Sequence, residues 1–346
     1  MSRRVVSALL LFAGACAAQA DVLVGDYRAP SPGAVLRFGP EQTGNRAPLA
    51  TFSTTGGDVE LQTPLHLTYD PIVDVVFVSD YYGQAIRVYA ADASGNVAPL
   101  RTLTSPRLGQ PRQVAIDHAH GEMLVVTQNC CVSTFALDAS GDVEFPLRNI
   151  LWGGFPGSTS RLNNPVHLYY LAASDEVVVS DAQYANGTSS GVLLFFARTA
   201  NAFATPTRAI EGAATQLGEY VAGLAYVPQH GELIALTGTA GTYRIVTFAQ
   251  TASGNAAPLR VIEGSNLGIE NAGAMTYDAS TDRLYVLSGA YNSPNPAVLA
   301  FARTATGNVA PVRRIAGSRT TLTAPSGIVA APAADWIFDD GFDEAD

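Results

Sequence analysis

Apolar residues along this chain come in short runs, not in long amphipathic stretches. In one representative segment the runs fall at residues 65–69, 75–79, 85–89 and 99–103. Each is about five residues long and rich in Val, Ile, Tyr and Phe. Gly-Asn or Asp-x-x-Gly pairs separate them, a pattern that predicts β-strands joined by tight turns. No window carries a 3.6-residue period long enough for a helix.

The segment recurs along the chain. Four copies read Gly44-Asn45-Arg46-Ala47-Pro48, Gly95-Asn96-Val97-Ala98-Pro99, Gly254-Asn255-Ala256-Ala257-Pro258 and Gly307-Asn308-Val309-Ala310-Pro311, and two degenerate copies end at Pro146 and Pro206. An aromatic stands ten residues before the proline in five copies (Phe38, Tyr89, Phe196, Phe248, Phe301) and eleven before it in the sixth (Phe135). Four strands per ~50 residues, six times over, predict an all-β fold: a six-bladed β-propeller of four-stranded blades. Proline lacks the N–H a ladder needs, so the strand that each repeat proline opens belongs on the outer blade edge. The first strand of each unit then lines the central channel. Residues 22–25 match a second strand and residues 327–331 match a first strand. The ring is therefore expected to close by pairing the N- and C-terminal strands within one blade.

His66-Leu67-Thr68-Tyr69-Asp70, followed by Val75-Val76-Phe77-Val78-Ser79-Asp80 and Ile86-Arg87-Val88-Tyr89, resembles an NHL repeat. The resemblance covers residues 21 to about 334 and implies a six-bladed ring whose wider face carries the loops after the second and fourth strands. It implies no particular reaction, because NHL-like propellers include binding scaffolds and lyases alike.

The ends of the chain differ from the repeats. Arg3 and Arg4, an apolar run over residues 5–15 and Ala18-Gln19-Ala20 form the three parts of a secretory signal peptide, residues 1–20. Lipidation at Cys16 is a rival reading of the same segment. Export places the chain in the periplasm or outside the cell. The acidic tail, residues 335–346, reads Asp335-Trp336-Ile337-Phe338-Asp339-Asp340-Gly341-Phe342-Asp343-Glu344-Ala345-Asp346. It resembles a short "IF-x-DGFE" ending of exported bacterial proteins, and it reads equally as a solvated acidic tail. Residues 21–334 are left for the propeller.

Composition narrows the partners. With 47% hydrophobic and 14% charged residues the chain can bury a core. All 20 basic residues are Arg against 30 acidic ones, a net charge of −10. That balance argues against nucleic acid or an anionic membrane surface. No other run reaches the ~18 apolar residues of a spanning helix.

A residue present in every blade is scaffold; a residue present once is a candidate site. Arg101, Arg148, Arg208, Arg260 and Arg313 stand two after the repeat proline and read as blade-packing arginines. Asp70, Asp117 and Asp278 end first strands and cap the next turn. The start of the first strand breaks the symmetry, with His66, Gln113, His167, Gly223, Gly273 and Gly327 in the aligned position. Three consecutive blades thus carry a polar side chain there, expected at the channel mouth. Either these three form a ligand site or they cap inner-strand backbone and hold channel water. Two imidazoles without a carboxylate make a thin metal cage, so neither a metal nor a cofactor is expected.

Two further features fall in loops. Cys130 and Cys131 are adjacent after a second strand, and an oxidising compartment favours their pairing as a vicinal disulfide. The longer loops bring Trp152, Phe155, Tyr184 and Tyr291 to one face, joined by Tyr81 and Tyr82. Exposed aromatics suit a sugar or a protein partner. No nucleophile elbow, P-loop or H-E-x-x-H stands in the chain. The expectation is an exported, non-catalytic propeller that binds a small molecule, glycan or protein through its loop-rich face. The alternative is an envelope hydrolase or lyase using His66 and His167 at the channel mouth.

Overall fold

The computed structural model describes residues 19–332 except 28–31, 57–59, 129–130, 155, 186, 240 and 291–292. Six antiparallel four-stranded sheets stand in a ring, each a blade. In the second blade the order from the channel outwards is Pro64–Asp70, Val75–Asp80, Ala85–Ala90 and Arg101–Thr104. The inner strands of the next four blades are Pro111–Asp117, Leu168–Leu171, Tyr220–Val227 and Met275–Asp278. The first blade takes its inner strand, Pro325–Pro332, from the far end of the chain and pairs it with Ala20–Asp26. Val24 lies opposite Ile328, so the expected clasp is present. Inner strands of adjacent blades touch around the whole ring.

Each of the six interfaces between blades holds one apolar cluster. The repeat aromatics are the anchors of these clusters. Phe38, Tyr89, Phe135, Phe196, Phe248 and Phe301 are all buried, each packed against the preceding blade. Full burial of such a side chain is worth about 1.5–3 kcal/mol. The spacing of the aromatic from the proline thus reflects a demand of blade stacking.

The repeat prolines stand two residues before the outer strand rather than opening it, as Pro99 does before Arg101–Thr104. The Gly-Asn pairs also do more than turn. Gly95–Asn96 and Gly141–Asp142 pair in parallel with the outer strand of the preceding blade. Gly44, Ala202, Gly254 and Gly307 form single bridges of the same kind to Ile315, Ile150, Ile210 and Ile262. Gly254 holds φ +64°, a conformation that glycine adopts without strain. The neighbouring asparagine then caps the preceding blade: Asn255 Oδ1 accepts the Ala214 N–H, and Asn308 Oδ1 the Asn266 N–H.

The repeat arginines act in two ways, across a blade boundary or within one blade. Arg101 donates to the carbonyls of Leu137 and Ala139, and Arg208 to those of Gln250 and Ala252, all in the next blade. Arg148 and Arg260 instead reach Glu122 and Glu232 on the second strand of their own blade. Asp70 and Asp117 cap the following turn through the amides of Ile72 and His120.

Candidate functional site

The channel narrows to a waist with a cavity on either side. A funnel of about 470 Å³ opens on the face that carries the loops after the second and fourth strands. A second cavity of about 400 Å³ opens opposite. His66 lines both, whereas Gln113 and His167 line only the second. The polar trio therefore sits at mid-channel rather than at the mouth, and all three side chains are buried.

Strand register explains which residues meet. His66 pairs with Ser79, one before the residue that ends the second strand. In the sixth blade the residue with that relation is Ala274, whose carbonyl accepts the Leu287 amide. Gly273 is thus displaced by one from the position the sequence alignment gave it, and the ring reads His66, Gln113, His167, Gly223, Ala274 and Gly327. The glycines among them serve close packing. A Cβ on Gly223 would stand 2.8 Å from the Met275 backbone nitrogen, and one on Gly327 2.7 Å from the Leu65 carbonyl oxygen. Their absence of side chain lets neighbouring inner strands close up and narrows the channel.

His66 and His167, two blades apart, meet edge to face with ring centroids 4.9 Å apart. The Gln113 Oε1 lies 3.0 Å from His167 Nδ1, between the blades that carry the imidazoles. Burial pushes both imidazoles towards the neutral form, the neighbouring ring and the nearby Arg112 guanidinium lower His66 further, and His167 falls to about 3. The Ala222 backbone favours the charged form of His167 but does not overcome desolvation. No hydrogen bond of good geometry reaches His167 Nε2. Neutral imidazoles accept and donate hydrogen bonds without bringing charge into the channel.

Tyrosines form the funnel rim. Tyr81 and Tyr82 pack edge to face at 5.0 Å, and Tyr27 stands 6.1 Å from Tyr82. Tyr220 faces them from the fifth blade and donates its hydroxyl to Tyr243, 3.1 Å away. Arg112 and His66 line the deeper wall, and Arg112 donates to the Pro165 carbonyl at 2.9 Å. Asp181 also lines it, buried, with its oxygens on the amides of Asn163 and Asn164. Burial raises its carboxyl to about 6 despite those amides. Asp26 and Asp80 make the same cap in the first two blades, so this aspartate is a repeated device that becomes channel-lining only in the fourth.

Of the loop aromatics expected on this face, Tyr81 and Tyr82 reach the funnel, while Trp152 and Tyr184 do not line it. The Trp152 ring covers Gly154, where a Cβ would stand 2.4 Å from it. Tyr184, 71% exposed, stands near the tip of the long hairpin Glu176–Ala185 and Thr188–Ala197. Tyr291 and Phe155 lie outside the described residues. Cys131 is fully buried and disulfide-bonded, and Cys130 lies outside the described residues. Sequence reading missed Tyr27, Tyr220, Arg112 and Asp181, each supplied by a different blade. Among the described residues no group of three His, Cys, Asp or Glu side chains is placed to hold a metal, and no helix is long and apolar enough to cross a membrane.

No family model matches the chain, and no curated protein does. Among solved structures it is similar to a chain of a nidogen/laminin complex. The two are 13% identical over 90% of this chain and 98% of that one, with a TM-score of 0.59. At that identity the likeness speaks for the six-bladed fold alone.

Proposed function

We propose that this protein is an exported, non-catalytic binding propeller that takes its ligand into the tyrosine-rimmed funnel of the loop-rich face. The observation that carries the reading is the funnel itself. It is concave, of a size typical of small-ligand pockets (~300–1,000 Å³), and joins aromatic surface to a few converging polar groups. The neighbour's printed name, a complex of two proteins, is in keeping with a binding role for this architecture. The contact that orients His167 favours binding over catalysis, because it comes from the Gln113 amide and not from the carboxylate that orients a general base.

Export belongs to the same reading. The first-blade strand begins at Ala20, so cleavage after that residue spares the buried Asp21–Arg37 ion pair. An NHL-like ancestry, a propeller bounded by residues 21 and 334, and the acidic sequence of residues 335–346 complete it. Cys131 needs a partner, and the chain offers Cys16, within the signal, and Cys130. The Cys130–Cys131 pairing follows if the signal is removed.

Native mass spectrometry of the full chain purified from its source tests the proposal. The expected result is a mass starting at Asp21 with a retained ligand, and loss of that ligand in a Tyr81→Ala/Tyr82→Ala variant of unchanged melting temperature. A ligand retained equally by that variant would place binding elsewhere and defeat the reading.

A further inference from the structure

Resting on that reading, we infer that the ligand of the funnel is a neutral, hydroxyl-rich sugar, free or as the end unit of a glycan. Two buried polar atoms of the funnel wall carry the inference. Thr63 is 4% exposed and its Oγ1 has no hydrogen-bond partner in the protein; the Oδ1 of Asn164 is buried in the same state. Both residues line the funnel, Thr63 from the second blade and Asn164 from the fourth. A buried polar atom left without a partner is destabilising, so a fold that keeps two beside one cavity is suited to an occupant that satisfies them.

The chemistry of the wall selects that occupant. Asn164 Oδ1 is an acceptor and needs a donor from the ligand. The Asp181 carboxylate beside it commits its oxygens to backbone amides and presents further acceptor character. An anionic ligand would meet both unfavourably. Thr63 Oγ1 can donate or accept, while Arg112 and the Gln128 amide, which also line the cavity, supply donors. The occupant must therefore both donate and accept hydrogen bonds within one cavity of about 470 Å³. A hydroxyl does both, and a pyranose ring carries several. The rim asks for the other face of a sugar: Tyr27, Tyr81 and Tyr82 offer aromatic surface to its C–H groups, with their polar ends left at the wet edge. An aliphatic chain would fill the rim and leave Thr63 and Asn164 unsatisfied.

Saturation-transfer NMR on the full chain, with a panel of neutral hexoses, N-acetylhexosamines and their disaccharides at millimolar concentration beside glucuronate and galacturonate, tests the inference. Calorimetry on the hits then compares wild type with Thr63→Val and Tyr82→Ala. Transfer to at least one neutral sugar is expected, with tenfold weaker binding in each variant and no change in a Leu100→Ala control on the outer edge. Thr63→Val is expected to hold or raise the melting temperature, because the lost hydroxyl has no protein partner. A clear fall would mean that the fold itself uses the hydroxyl, and would overturn the inference. Binding confined to the uronates, or a funnel occupied only by a peptide segment, would overturn it while leaving the funnel as the binding site. If nothing on the panel binds and the source-purified protein keeps no Tyr81/Tyr82-dependent ligand, both the inference and the proposed function fall.

Discussion

The two waist imidazoles make the fold sensitive to acid in a direction that can be worked out. In the unfolded chain they take up protons below about pH 6.5. In the folded chain burial holds them neutral, His167 down to about 3. Their contribution to stability is thus complete above about pH 6.5 and is lost as pH falls towards the folded value, by up to ~1.4 kcal/mol per pH unit for each imidazole. Asp181 acts oppositely between its ordinary value and about 6, because its folded carboxyl binds the proton more tightly. A comparison of variants separates the two effects. Between about pH 7 and pH 5, wild type should lose more melting temperature than His66→Leu/His167→Leu. An equal loss would mean that the folded imidazoles accept protons at the waist.

Strands and loops show what the sequence could and could not reveal. The aromatic-to-proline spacing gave the blades, because stacking repeats in every unit and so writes the same residues six times. The clasp was legible for the same reason: residues 22–25 and 327–331 are displaced members of a known series. Register at the channel was harder. Gly273 and Ala274 differ by one position and both bond Leu287, and only the register set by Met275 opposite Val286 decides between them. The funnel was half legible. Tyr81 and Tyr82 stood out as a pair, but Tyr27, Tyr220 and Arg112 are single residues of separate blades that only ring closure brings together. Trp152 and Tyr184 do not line the funnel, and a loop aromatic looks the same in sequence whether it leans inward or outward. The Gly-Asn pair was seen as a turn, and its second duty is visible only across the blade boundary. Asn255→Ala should therefore cost about 1 kcal/mol, since it strips the Ala214 amide of its acceptor while leaving its own hairpin intact. Urea unfolding would measure it; a change within error would mean that water replaces the cap at no cost.

At the scale of the whole molecule, stability is shared among six equivalent interfaces, but one blade is assembled from both ends of the chain. Deleting residues 335–346 should leave the melting temperature unchanged. Deleting residues 325–346 removes the inner strand of the first blade and exposes Leu23 and Val24, buried at the two interfaces of that blade. Such a chain should be protease-sensitive throughout, and limited proteolysis that spared its other five blades would show that the ring does not need its clasp. The clasp also sets the order of events in time. Pairing residues some three hundred positions apart is slow, because loop closure must precede any contact that rewards it. For a polypeptide threaded through a translocase from its N-terminus, the partner of the first strand emerges some three hundred residues after it. Under the proposed export, the seam can be sewn only once that distant strand has crossed, and until then the chain stays threadable.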